Sequence, residues 1–304
     1  MTLSRFKLFL ALSRTSHGIL DMATPAFAAL LWLGQLPPIE IVIIGLITTV
    51  AGYTAVYALN DVVDYRQDKI KLQQSNLART AGDLDAVWVR HPMAQGLLSF
   101  KAGLLWAIGW AMVAAIGAYL LNPVCLIIFI AGCALEAVYC LLLKISHHRV
   151  IISGGVKTSG AIAAVFAVDP SPDPGYVLML FLLLFFWEVG GQNVPNDWAD
   201  MEEDRRLSAK TIPVRFGKDP SIRIILFAIG MTLLLTLCIF SFSKIHFEAP
   251  YAPAALIAAI WLIAQPAWLL HRAKDAKAAI NLFNKASYFP LAMLIVVLIK
   301  ILLS

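Results

Sequence analysis

Asn60-Asp61-Val62-Val63-Asp64-Tyr65-Arg66-Gln67-Asp68 closes a long apolar run with a cluster of carboxylates, and its reading decides the fold. The same N-D-x-x-D-x-x-x-D spacing returns at Asn196-Asp197-Trp198-Ala199-Asp200-Met201-Glu202-Glu203-Asp204, again at the end of an apolar run. On a helix, positions i, i+3 and i+7 lie within about 60° of one another, so each set of three aspartates shares one face. Two such faces, brought together, could form one divalent-metal site.

The runs that precede these motifs set the class. The 304 residues are 60% hydrophobic and only 14% charged, against roughly 25% charged in a soluble domain, and the mean hydropathy is +0.78. Segments of about 20 apolar residues recur along the chain, each long enough to cross about 30 Å of hydrocarbon. About nine spans are expected, roughly 15–35, 40–60, 101–120, 123–143, 150–168, 175–195, 221–242, 251–271 and 286–303. The expected fold is therefore an all-α, polytopic membrane protein with a single domain over 1–304. The first motif ends the second span and the second ends the sixth, four spans later, which suggests two four-helix pseudo-repeats around a central cavity. Cys125, Cys133, Cys140 and Cys238 sit in apolar segments without metal-ligand spacing and read as buried free thiols.

A formal charge of +5 would suggest nucleic acid in a soluble chain, but its distribution points to a bilayer instead. Lys and Arg gather before the first span, from Arg66 to Lys101, around Lys144 and Arg149, from Arg205 to Arg223 and from Arg272 to Lys285. The alternate loops hold one lysine between them. The positive-inside rule then places the N-terminus and both aspartate motifs on the cytoplasmic side of an inner or cytoplasmic membrane. An odd number of spans puts the C-terminus outside. Two polar cap loops, about 61–100 and 197–220, lie on the cytoplasmic side, and the first, with Asn76, Arg79, Gly82 and Asp83, is long enough to act as an ordered lid.

Clustered aspartates need a cation between them. Mg²⁺ takes oxygen ligands and is typically held by one or two carboxylates together with substrate phosphates. Asp61, Asp64 and Asp68 would hold one ion, and Asp197, Asp200 and Asp204 another. Arg66, Lys144, Arg205 and Lys210 are candidates to bind phosphate oxygens directly. Acids for metal and bases for phosphate, at the mouth of a membrane bundle, suggest a diphosphate with a greasy tail. The plainer alternative is that both motifs are solvated helix ends.

Both motifs resemble those of the UbiA superfamily of intramembrane prenyltransferases. Tyr139-Cys140-Leu141-Leu142-Leu143-Lys144 is similar to the family's Tyr-to-Lys tract, and Lys210-Thr211-Ile212-Pro213-Val214-Arg215-Phe216-Gly217 resembles its closing loop. The resemblance implies Mg²⁺-assisted ionisation of a polyprenyl diphosphate and capture of the allylic cation by a nucleophile. It assigns Asn60, Asp61, Asp64 and Asp68 to the first motif, Asp197, Asp200 and Asp204 to the second, and Lys144 to diphosphate binding. Asp61, Asp64, Asp197 and Asp200 are the catalytic candidates. Where the family commonly has Asn-Arg-Pro-x-x-x-Gly, this chain has Arg90-His91-Pro92-Met93-Ala94-Gln95-Gly96 after an extra stretch from about Leu72 to Trp88. His91 thus stands at the usual arginine position, unless Arg90 supplies that contact.

Ionisable groups inside spans are costly and point to function. Asp21 shares a face with Arg14 and His17, either as a paired triad or as an acceptor or diphosphate contact. Glu188, one turn before Gln192, and Asn193 are candidates to orient the acceptor or to hydrogen-bond between helices; Glu136 could do either. Phe185, Phe186 and Trp187 either line a prenyl tunnel or pack. The acceptor expected is aromatic, in quinone-type biosynthesis; the alternatives are a glycerol-phosphate lipid or a tetrapyrrole. A cation-coupled transporter is a further alternative, disfavoured because the acids lie at span ends rather than at the midplane.

Overall fold

Apolar composition and helix caps together dictate a bundle. The computed structural model describes residues 4–74, 84–248 and 250–303; Asn76, Arg79, Gly82 and Asp83 lie outside them. Every regular element among the described residues is helical. The helices are α1 (Arg5–Leu12), α2 (Thr15–Asp21), α3 (Ala23–Leu33), α4 (Ile39–Gln74), α5 (Phe100–Leu121), α6 (Pro123–Leu141), α7 (Arg149–Val168) and α8 (Pro174–Trp187). They continue as α9 (Val194–Ala199), α10 (Met201–Arg206), α11 (Ile212–Phe216), α12 (Lys218–Ile239), α13 (Tyr251–Ala259), α14 (Gln265–Ala273), α15 (Ala276–Ala286) and α16 (Phe289–Leu303).

Among the described residues, eight helical stretches are long and apolar enough to cross a bilayer. The first expected span, 15–35, is present as α2 and α3, which meet at Met22, and Arg14, left-handed at φ 44°, separates it from α1. Short turns at the end away from the aspartates are built from caps. Asn122 accepts from the Val124 N–H (2.9 Å) with Pro123 opening α6, and Asp173 accepts from the Tyr176 N–H (2.9 Å) with Pro174 opening α8. A side-chain acceptor followed by proline is a strong helix start, since proline lacks the N–H that would go unpaired there.

The helix α4 has 36 residues, about 54 Å of length, and so outruns the roughly 30 Å hydrocarbon layer. The first motif was expected to end this helix; instead the helix continues from Asp68 to Gln74. Lys, Leu and Gln are good helix formers and no Gly or Pro intervenes. The second cap is also more helical than a loop, being made of α9, α10 and α11.

The core sits around α8, whose Leu180, Leu183, Leu184 and Trp187 are fully buried with Ile225 and Ile229 of α12. Helices α4, α5 and α6 instead leave Leu46, Leu105, Met112, Ile116 and Ile127 exposed, as lipid contact allows. At the end of α8 the chain widens into a π-turn, Glu188–Asn193. A Cβ at Gly190 would lie 2.9 Å from the Ala228 Cβ, and one at Gly191 2.9 Å from the Ala286 Cβ. Small residues of this kind let membrane helices approach closely. Gly190→Ile should force α12 away and destabilise the protein by about 1–3 kcal/mol, the usual range for overpacking; thermal unfolding in detergent measures it, and an unchanged midpoint contradicts this packing.

Candidate active site

The two aspartate sets lie at one end of the bundle, and basic residues from four separate elements pair with them. Asp61, Asp68, Asp197, Asp200 and Asp204 are all buried. Arg14 Nη2 meets Asp61 Oδ1 at 3.3 Å and donates to Asn60 Oδ1 at 2.9 Å. His91 Nδ1 stands 3.3 Å from Asp61 Oδ1 and 2.9 Å from Asp68 Oδ2. In the second set, Arg149 meets Asp197 (3.3 Å), Arg90 meets Asp200 (3.2 Å) and Glu203 (3.2 Å), and Lys71 meets Asp204 (3.4 Å). Lys71 rides on the extension of α4 past the first motif, so this pair ties one aspartate set to the helix of the other.

Local structure explains these placements. On α4 the i, i+3, i+7 spacing holds Asp61, Asp64 and Asp68 on one regular helix. The second motif bends: Asp200 ends α9 with φ −91° and ψ 4° and begins α10. His91 has φ 52°, a left-handed conformation that is uncommon outside glycine, and it turns the loop so that the imidazole faces α4. Burial disfavours the charged imidazole, yet Asp68 and Asp61 outweigh this and raise its pKa to about 9.

Behind the aspartates lies a cavity of about 420 Å³ between α2, α3, α4, α6 and α7. On α4 its lining runs from Asn60 to Ile41, about 28 Å along the axis. The far part is apolar, with Ile41, Leu46, Ile128, Phe129 and Ala164. Nearer the aspartates it carries a polar shelf. Asp21 accepts from Lys157 Nζ at 2.6 Å and from the Tyr57 hydroxyl. Glu188 accepts from Ser153 Oγ (2.5 Å), and Asn193 Nδ2 donates to Ser153 Oγ (3.1 Å) and the Tyr139 hydroxyl (2.9 Å). Glu136 accepts from Asn60 Nδ2 at 2.5 Å, fixing that amide at the junction of shelf and motif. Asp21 Oδ1, Glu188 Oε2 and Asn193 Oδ1 are buried without a hydrogen-bond donor.

The structure brings together Asn60, the six aspartates, Asp21, Glu188 and Asn193, but not the basic residues singled out from the sequence. Arg66, Lys144, Arg205 and Lys210 are exposed, and Arg205 pairs with Glu202 at 2.9 Å. The cations at the site are instead Arg14, Lys71, Arg90, His91 and Arg149, with Lys157 deeper. Lys157 had a legible signal, being the one charged residue in the apolar run 150–168. Arg14 and His17 do not form a closed triad with Asp21. His17 stays within 3.7 Å of Asp21 but lies 2.5 Å from Asp85, and the kink at Arg14 sends its guanidinium to Asn60, Asp61 and Asp85. Burial works against ionisation of Asp85, but His17 and Arg14 outweigh it and hold its carboxyl well below the usual range. The π-turn separates Gln192, which donates to Phe283 O and Ser287 Oγ, from Glu188 and Asn193, which face the shelf. Trp187 is packed and donates to Ala286 O at 2.9 Å, and Phe185 closes on Gly154.

Comparison with known proteins places the chain and its fold. The chain is 20% identical over 280 residues to the 4-hydroxybenzoate octaprenyltransferase of Vibrio atlanticus, covering 90% of this chain and 91% of that one. It is 26% identical over 219 residues to the digeranylgeranylglyceryl phosphate synthase of Pyrococcus horikoshii, 71% of each chain. The fold matches a UbiA homolog from Archaeoglobus fulgidus bound to DMAPP and Mg²⁺, with TM-score 0.73 and 14% identity over 97% of this chain and 99% of that one. It also matches a UbiA homolog from Aeropyrum pernix, with TM-score 0.72 and 17% identity over 94% and 97% of the two chains. A sequence model described as the UbiA prenyltransferase family matches residues 22–289. With that match over most of its length, the chain belongs to the UbiA prenyltransferase family.

Proposed function

We propose that this membrane enzyme uses Mg²⁺ to transfer a polyprenyl group from its diphosphate to an aromatic acceptor of the quinone-precursor type. The observation that carries the reading is the junction of two aspartate sets with an apolar cavity, with Asn60 lying on both. The donors suit Mg²⁺: all six are carboxylates, and Asp64 Oδ1 and Asp197 Oδ2 are buried with no hydrogen-bond partner. Asp61, Asp64 and Asp68 would hold one ion and Asp197, Asp200 and Asp204 the other. When bound, Mg²⁺ neutralises the diphosphate and the charge that grows on it as the C–O bond breaks.

The chain's own residues supply the rest. Arg14, Lys71, Arg90 and Arg149 exchange carboxylates for phosphate oxygens, the three arginines as guanidinium forks and Lys71 as a point charge. Arg66, Lys144, Arg205 and Lys210, on the exposed rim, raise the local concentration of anionic substrate. The apolar cavity takes the prenyl tail and excludes water from the allylic cation. Tyr57 lines the cavity beside Asp21, while Arg149 covers the Tyr139 ring at 3.9 Å. The unsatisfied oxygens of Asp21, Glu188 and Asn193 accept hydrogen bonds from acceptor hydroxyls, and the carboxylate of Asp21 or Glu188 receives the one proton released on transfer. A phosphate headgroup on this shelf would bring up to two negative charges against Asp21, Glu136 and Glu188, which favours a hydroxylated ring with at most one carboxylate. The synthase from Pyrococcus makes a glycerol-phosphate lipid by its name, and that acceptor class is the second reading. The excess of Lys and Arg at the aspartate end supports a cytoplasmic mouth and N-terminus in a cytoplasmic membrane, and an odd number of passes puts the C-terminus on the other side.

Three outcomes are expected. Asp64→Asn and Asp200→Asn should each lower transfer by at least about 100-fold, the scale of losing one transition-state charge contact, with helicity unchanged; wild-type turnover in either rules the metal role out. Activity of purified enzyme should vanish in chelator and return with Mg²⁺. Lys157→Met, which removes the lysine that pairs with buried Asp21 and leaves it the Tyr57 hydroxyl and His17, should cost on the order of 3 kcal/mol, and adding Asp21→Asn should recover most of it in detergent unfolding. Incubation with labelled polyprenyl diphosphates and hydroxybenzoate, dihydroxynaphthoate or glycerol-phosphate acceptors, with mass analysis, decides the acceptor; product only with the glycerol phosphate overturns the aromatic reading.

A further inference from the structure

Among the described residues, Asp61, Asp68 and His91 form a group whose ligand atoms all lie within 4.8 Å of one another. A six-coordinate ion with ligands at about 2.1 Å sets neighbouring ligand atoms about 3.0 Å apart. His91 Nδ1 already stands 2.9 Å from Asp68 Oδ2 and 3.3 Å from Asp61 Oδ1. Those carboxylates are 4% and 3% exposed. Despite this closeness, Nδ1 has no aligned hydrogen bond, so neither oxygen lies along its N–H direction. Asp64 Oδ1, on the turn between the two aspartates, also has no partner.

We propose that His91 Nδ1 is a ligand of the ion held by the first aspartate set, making a mixed carboxylate and imidazole site that takes Mn²⁺ or Co²⁺ in preference to Mg²⁺. Imidazole is a softer donor than carboxylate, and later divalent metals bind nitrogen more tightly than Mg²⁺ does. Entry of the ion displaces the Nδ1 proton, as metal binding to histidine requires. The second set has only oxygen donors and remains suited to Mg²⁺, so the two ion sites differ in kind. The inference rests on reading Asp61, Asp64 and Asp68 as ion ligands; it does not depend on which acceptor is prenylated.

The test uses the purified full chain in detergent with Mn²⁺ alone, and pulsed EPR. Wild type should show nitrogen hyperfine coupling from one imidazole. His91→Gln should lose the coupling and bind Mn²⁺ at least about tenfold more weakly, the loss that even outer partners of a metal site produce, with Mg²⁺ affinity little changed. His91→Arg, which restores the residue type expected at this position, should behave alike, and circular dichroism checks that each variant is folded. Bound Mn²⁺ without nitrogen coupling, coupling that survives in His91→Gln, or no Mn²⁺ binding by wild type overturns the proposal. Prenyl transfer with Mg²⁺, assayed on the same wild-type preparation, reports separately on the enzyme function: turnover without nitrogen coupling removes only the histidine ligand.

Discussion

Six aspartates at one end of a membrane bundle repel one another, and the structure is organised around neutralising that charge. Burying a carboxylate unpaired costs several kcal/mol, more than most single packing contacts contribute. The cations that solve this come from α2 and its kink, the extension of α4, the cap loop and the start of α7. Arg14 reaches Asp61, Lys71 reaches Asp204, Arg90 reaches Asp200 and Arg149 reaches Asp197. Each pair also fixes one element against another, so the charge balance doubles as tertiary structure. Phosphate and metal would then compete with existing pairs rather than enter an empty site.

Irregular backbone appears where this balance requires it. The kink at Arg14 swings a guanidinium away from Asp21 and leaves that carboxylate to Lys157 and Tyr57. The π-turn at Glu188–Asn193 splits one face of a helix into two, sending Gln192 to α15 and Glu188 with Asn193 to the cavity. Such turns are frequent at functional sites because they re-aim side chains without ending the helix. The resulting cavity is polar near the aspartates and apolar beyond, the gradient that a diphosphate with a hydrocarbon tail requires.

Spacing within a helix was readable because it follows from geometry alone: Asp61, Asp64 and Asp68 share a face wherever that helix lies. Lys157 is legible in principle, as a lone charge within the apolar run 150–168. Arg149 was not readable, because a basic residue at a span end looks the same whether it faces solvent or, as here, Asp197. Arg66 and Arg205 carry the charge expected of diphosphate ligands, yet the helix turns them outward. Motif proximity in sequence says little about which side of a helix end a long side chain takes.

By itself, then, the sequence determined the all-helical membrane class and the aspartate face on α4, because hydropathy and periodicity are local properties summed along the chain; the bend at Asp200 in the second motif is not among them. Tertiary structure alone decided which cations meet those faces, where the first span breaks, and that His91 points at Asp61 and Asp68. Those outcomes depend on contacts between residues far apart in the chain, set by how helices pack and how a buried charge finds a partner, and no local pattern encodes them.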